Sequence, residues 1–270
     1  MSLLLYIILF YLTSVKAQEK TPVLLVHGIL SDADELVDAK MWFSRNLDRE
    51  IYSVEIGNGR LDSFSKNMNW QVDALTKTIN SFDPLLLREF HLVGFSQGGL
   101  LSRAFVETSG KRRVKTLMTF GTPHMGVYYY SDDSIYSEKN QKHMSYTNYW
   151  KDPYNMPLYL KNSSFLPRLN GDIDSDLTLY NKVDNFVMVW SPIDEIIRPI
   201  ESGKYEFYNE NTDVIVPFTV SETFKRDNIG IRTMFEEGRI KFVQTDCAHR
   251  EYKSVDCLEK HKADILQYLY

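Results

Sequence analysis

The sequence predicts an α/β protein with a mostly parallel central sheet flanked by helices. Short, continuously apolar runs such as "VLLV", "FHLVG" and "FVMV" recur along it, the pattern of strands buried on both faces. Stretches with apolar residues at helical spacing separate them, which implies β–α–β units. The length of 270 residues, 43% hydrophobic and 25% charged, suits one large domain over residues 18–270.

In chain order, "TPVLLVHG" from Thr21 is the first strand, ending in glycine. Asp34 to Leu47 has helical spacing, and "IYSVEI" from Ile51 reads as the second strand. "FSKNMNWQVDALTKTINSF" reads as one helix, with Met68, Val72, Leu75 and Ile79 on a single stripe. "FHLVG" is the third strand, the helix from Gln97 to Glu107 follows at once, and "VKTLMTFG" is the fourth strand.

From 127 to about 182 the pattern breaks. This segment is rich in tyrosine, tryptophan and methionine without a clean strand, and reads as an insertion over the sheet's C-terminal edge. "NFVMVWS" restores the pattern, an irregular stretch follows, "GRIKFVQ" is a further strand, and "CLEKHKADILQYL" is a closing helix.

The net charge of -5, with 31 basic and 36 acidic residues, speaks against a nucleic-acid footprint. At the N-terminus an apolar run from Leu3 to Leu12 precedes small residues, with Val15 and Ala17 at cleavage-site spacing. That predicts a signal peptide over residues 1–17, although a basic start is missing. The run is too short for a membrane span, which needs about 20 apolar residues. In a secretory compartment Cys247 and Cys257 are placed to pair, and Asn162 in "NSS" is an N-glycosylation acceptor sequence. Two cysteines without matching histidine spacing predict no metal site, and no cofactor motif is seen.

The chemistry centres on "GFSQGG". Ser96 sits between Gly94 and Gly98 where a strand runs into a helix, the setting of the nucleophile in an α/β-hydrolase. The strained turn leaves no room for side chains two residues before and after the serine. Alone the motif is weak, because glycine-rich strand-to-helix turns are common, and a serine needs a base and a group to orient that base. The fold demands the order Ser, then Asp or Glu, then His.

His249 lies between the last strand and the closing helix, where the base belongs. His124 precedes any suitable acid, His143 falls in the insertion, and His261 falls in the last helix. Asp194, after "NFVMVWS", is the acid, with Glu195 and Asp246 as its competitors. The oxyanion donors are backbone amides, one from Gln97 and one from the loop after the first strand, where Ile29 is the candidate.

These residues resemble the palmitoyl-protein thioesterases. "GFSQGG" is similar to that family's nucleophile turn, and "YWKDP" followed by "YLKNSSFLPRLNG" is similar to part of its insertion. "FVMV" with "DEIIRPIESGKYEFY" resembles its acid segment, and "DCAHREY" matches in placement. "TPHMGVY" and the insertion look closer to the palmitoyl-protein thioesterase 2 branch. The resemblance implies a lysosomal hydrolase of long-chain fatty acyl thioesters, carried by S-acylated proteins or by acyl-CoA, with Ser96, Asp194 and His249 as its triad. It implies more cysteines than the two this chain keeps. An oxygen-ester lipase or carboxylesterase would use the same residues, whereas a non-catalytic lipid carrier would have no need of all three.

Overall fold

The computed structural model describes residues 20–84, 88–108 and 113–270; the expected signal peptide lies outside them. Six strands form the central sheet: β1 (Val23–Val26), β2 (Ile51–Val54), β3 (Glu89–Phe95), β4 (Arg113–Phe120), β5 (Asn185–Trp190) and β8 (Ile240–Gln244). Their order is β2-β1-β3-β4-β5-β8, and every pair is parallel. The remaining strands, β6 (Phe207–Tyr208) and β7 (Ile215–Val216), form an antiparallel hairpin inside the stretch that reads as irregular in the sequence.

Alternation along β1 shows why its whole run is apolar. Val23 and Leu25 join a core with Trp42 and Phe43 of α1 (Val37–Asn46), while Leu24 and Val26 face the opposite core. That second core holds α3 (Met68–Ser81) and α4 (Gln97–Thr108), and the stripe Met68, Val72, Leu75 and Ile79 is buried in it. A sheet covered on both faces needs strands that are apolar throughout.

Two expected helices are divided. The Phe64–Phe82 stretch splits into α2 (Arg60–Ser65) and α3, because Lys66 is extended and Asn67 caps the second helix by accepting the Trp70 N–H at 2.9 Å. An asparagine that bonds the backbone at a helix start favours a new helix over a continued one. The closing helix likewise divides into α10 (Val255–Lys260) and α11 (Lys262–Leu266) at His261, whose ring bonds Asp246 at 2.9 Å.

Residues 127–182 carry short helices, α5 (Glu138–His143), α6 (Met156–Asn162) and α7 (Leu166–Leu169). Tyr136, Tyr149, Trp150 and Tyr159 of this segment are buried in the same core as α3 and α4, so much of its aromatic content is packing. The helices α8 (Glu222–Arg226) and α9 (Ile231–Glu236) precede β8. No helix among the described residues is long and apolar enough to cross a membrane.

Candidate active site

The parallel sheet brings the loops that follow its strands to one C-terminal edge, among them those after β1, β3, β5 and β8. Ser96 follows β3 with φ of 55°, a left-handed conformation that costs a non-glycine residue energy and turns its side chain out of the chain path. Close backbone packing sustains the strain. A side chain at Gly94 would lie 2.5 Å from Gly99 Cα, and one at Gly98 would lie 2.4 Å from the carbonyl oxygens of Val26 and His27. Gly99, which the motif argument passed over, is as constrained, since a side chain there would strike Thr122 at 1.8 Å. Thr122 in turn donates from Oγ1 to the Ser96 carbonyl at 2.9 Å.

Ser96 Oγ lies 3.0 Å from His249 Nε2, and His249 Nδ1 lies 2.8 Å from Asp194 Oδ2. Asp194 is 4% exposed, and its other oxygen accepts the main-chain N–H groups of Ile196 and Ile197, both at 2.9 Å. Glu195 meets the main-chain N–H of His249 at 2.8 Å rather than its ring. Asp246 turns away to Lys260 and His261. Of the three acids weighed for the imidazole, Asp194 is the one on the ring.

The other histidines are occupied elsewhere. His124 is fully buried, bonded to Thr119 at 2.9 Å and stacked on Tyr205; burial and the nearby Arg103 charge hold it well below its ordinary pKa. His143 is exposed at the end of α5.

The loop after β1 presses against Ser96, since a side chain at Gly28 would come within 3.1 Å of Ser96 Cβ. His27 anchors this loop from below: its Nε2 sits 2.8 Å from Glu55, and its Nδ1 sits 3.0 Å from the Gly28 carbonyl oxygen. Ile29 and Gln97 thus stand on the two segments flanking Ser96. The buried Gln97 side chain donates to the Ser63 carbonyl at 2.8 Å and to Gln71 at 3.0 Å, and accepts from Tyr149 at 3.0 Å. It ties the start of α4 to α3 and to the 127–182 segment. The "YW" of that segment gave no sign that Tyr149 reaches so near the serine.

A cavity of about 530 Å³ opens beside Ser96 and His249. Ile29, Leu30, Leu36, Phe95, Phe120 and Tyr252 supply its apolar walls, with Arg60, Arg250, Lys253 and Glu35 among its polar lining. Glu35 pairs with Lys253 at 2.5 Å and with Arg60, and the Lys253 ammonium above all holds its carboxyl down at about 2. The Tyr252 ring stands edge-on to His249 at 5.8 Å. Burial, and then the Asp194 charge, push the Tyr252 hydroxyl above its usual range and keep it protonated.

Cys247 and Cys257 are joined in a disulfide, which ties the segment before His249 to α10. Asp246, Cys247 and His261 converge within 4.8 Å, but the sulfur is committed to that bond, leaving a poor ligand set for a metal. Asn162 is exposed at the C-terminal end of α6.

A parallel sheet with a serine on a strained turn after β3, an acid after β5 and a histidine after β8 defines an α/β-hydrolase. The fold is shared with the crystal structure of a bromoperoxidase from Bacillus anthracis, at a TM-score of 0.54 and 12% identity over 93% of this chain and 92% of that one. The family model for palmitoyl protein thioesterase matches residues 22–249, and the chain belongs to that family. Palmitoyl-protein thioesterase 3 of Dictyostelium discoideum is 32% identical, with 87% of each chain covered. The lysosomal thioesterase PPT2 homolog of Drosophila melanogaster is also 32% identical, over 84% of this chain and 85% of that protein.

Proposed function

We propose that the protein hydrolyses long-chain fatty acyl thioesters through an acyl-enzyme on Ser96. The observation that carries this reading is the continuous hydrogen-bond chain from Ser96 Oγ through His249 to the buried Asp194, beside a largely apolar cavity, in a chain of this family. His249 takes the Ser96 proton as the oxygen attacks the thioester carbon. Asp194 holds the tautomer with Nε2 free and stabilises the imidazolium that forms. The Ile29 and Gln97 amides receive the developing oxyanion.

The thiolate leaves readily, because a thiol of pKa near about 8.5 is a far better leaving group than an amine. The imidazolium returns its proton to that sulfur, and water activated by the neutral His249 then attacks the acyl-enzyme, releasing fatty acid and free Ser96. The apolar cavity suits an alkyl chain, and each buried methylene contributes about 0.8 kcal/mol. The substrate is a palmitoyl-type thioester, borne by CoA or by an S-acylated peptide. The lysosomal relatives, the predicted signal peptide over 1–17, the disulfide and the exposed Asn162 acceptor together support a secretory route ending in the lysosome.

The test compares fatty acid release from palmitoyl-CoA, an S-palmitoylated peptide and a palmitate oxygen ester, by wild type and by Ser96→Ala. Thioester turnover that Ser96→Ala abolishes is the expected result. Turnover confined to the oxygen ester would reassign the protein as a lipase or carboxylesterase, and turnover that survives Ser96→Ala would remove the serine from the mechanism.

A further inference from the structure

The segment that carries His249 starts a short 3-10 helix, His249–Lys253, behind Ala248. Alanine has no side-chain acceptor, so the first amides of this turn need partners from elsewhere. Ala248 N–H donates to Glu251 Oε2 at 2.8 Å, within the turn itself. His249 N–H donates to Glu195 Oε2 at 2.8 Å, across 54 residues of sequence. Glu195 directly follows Asp194, whose Oδ2 takes the His249 ring at 2.8 Å. Two successive carboxylates therefore hold one histidine, the first by its imidazole and the second by its main chain.

Those two contacts constrain different things. The Asp194 bond fixes the rotation and tautomer of the ring but lets the ring slide with its backbone. The distance from Nε2 to Ser96 Oγ, 3.0 Å, depends as well on where the His249 main chain sits. The Glu195 turn is itself rigid, because Asp194 Oδ1 accepts the Ile196 and Ile197 N–H groups on its far side. A capping serine or aspartate at position 248 would serve the second or third amide of this turn, not that of His249. An acceptor from the acid loop instead locks the acid and base loops together. Glu195 is exposed, so its loss opens no cavity in the core.

We infer that Glu195 is a positioning residue for the reaction, setting the reach of His249 to Ser96 by holding the His249 main-chain N–H. This rests on the reading of His249 as the base. Misplacement by about 1 Å costs on the order of 100-fold in rate, so a shift of a few tenths of an ångström is worth about tenfold.

The test uses the full chain with Glu195→Ala, Glu195→Gln and Ser96→Ala. It measures kcat and KM on a palmitoyl thioester, the rate of Ser96 labelling by a fluorophosphonate, and Tm. Glu195→Ala is expected to lower kcat and the labelling rate by about tenfold with KM unchanged. Glu195→Gln, whose amide oxygen still accepts the N–H, should return both to within about threefold of wild type. A wild-type kcat and labelling rate in Glu195→Ala would overturn the inference, whether or not Tm falls. Equal impairment of the Ala and Gln variants would overturn it too, pointing to charge rather than to the hydrogen bond. Labelling and turnover that persist in Ser96→Ala would instead sink the proposed function, whatever Glu195 does.

Discussion

The two halves of this site are built by opposite means. The turn that presents Ser96 is held mainly by steric contact: Gly94 and Gly98 lie against backbone and Gly99 against the Thr122 side chain, leaving no space for side chains of their own, and the strain at φ of 55° is locked in by that contact. The turns that present Asp194 and His249 are held by side chains instead. Asp194 ties its own loop, Glu195 ties the next one, and a disulfide closes behind the histidine. The first half is steric and tolerates no addition. The second is polar, so it loses precision by degrees when a group is removed.

Substitutions test this contrast, beginning with the largest effect. Ser96→Ala removes the proposed nucleophile without disturbing the turn and should cut kcat by about a millionfold with Tm unchanged. Asp194→Asn keeps the shape of the acid but favours the wrong tautomer of His249. A loss of about 10⁴ in kcat is expected, and a loss under tenfold would mean that Asp194 does not orient the base.

Gly98→Ala reports on the steric half. Its methyl group would fall 2.4 Å from the Val26 and His27 carbonyl oxygens, so the strand or helix must move. A stability loss of at least about 3 kcal/mol, read by chemical denaturation, is expected, against almost none for Ser96→Ala. Replacing both Cys247 and Cys257 by alanine opens a link between residues ten apart in sequence. That should cost roughly 2–3 kcal/mol of stability while the folded fraction keeps most of its kcat.

The smallest effect concerns pH and the far end of α4. Burial pushes Glu107 up to about 8 from an ordinary 4.5, although the Arg103 guanidinium stands 3.3 Å away. A carboxyl that binds its proton more tightly when folded contributes stability that is full below its unfolded pKa. That contribution is lost as pH rises through about 8. Below pH 6.5 the buried His91, lowered to about 3, and His124 oppose this, because unfolding frees them to take up protons. Between pH 6.5 and 8, wild type should therefore gain stability on the order of 1 kcal/mol as pH falls, and Glu107→Gln should show a flat profile.

Much of this was legible in the residues themselves. The strands could be read because a sheet covered on both faces demands unbroken apolar runs, as in "VLLV" and "NFVMVW". Ser96, Asp194 and His249 could be singled out because the fold fixes their order along the chain. The helix break at Asn67 was hidden in an apolar stripe that ran straight past it. The role of Glu195, which the sequence offered only as a rival acid, and those of Tyr149 and Thr122 were hidden for a different reason. Glu195 holds a main-chain N–H 54 residues away, and Tyr149 reaches a glutamine 52 residues before it. Neither leaves a periodic or local trace in the sequence. The 127–182 segment was the least legible, since its tyrosines give the same pattern whether they pack or line a groove.

The central claim, that Ser96 carries the acyl group, is tested most directly by trapping the intermediate. The enzyme is mixed with palmitoyl-CoA, quenched in acid within the first turnovers, digested and analysed by mass spectrometry. The predicted result is one palmitoyl group on the peptide spanning "GFSQGG", absent from Ser96→Ala. Steady release of palmitate with no acyl group ever found on that peptide, or with the group on another residue, would contradict it.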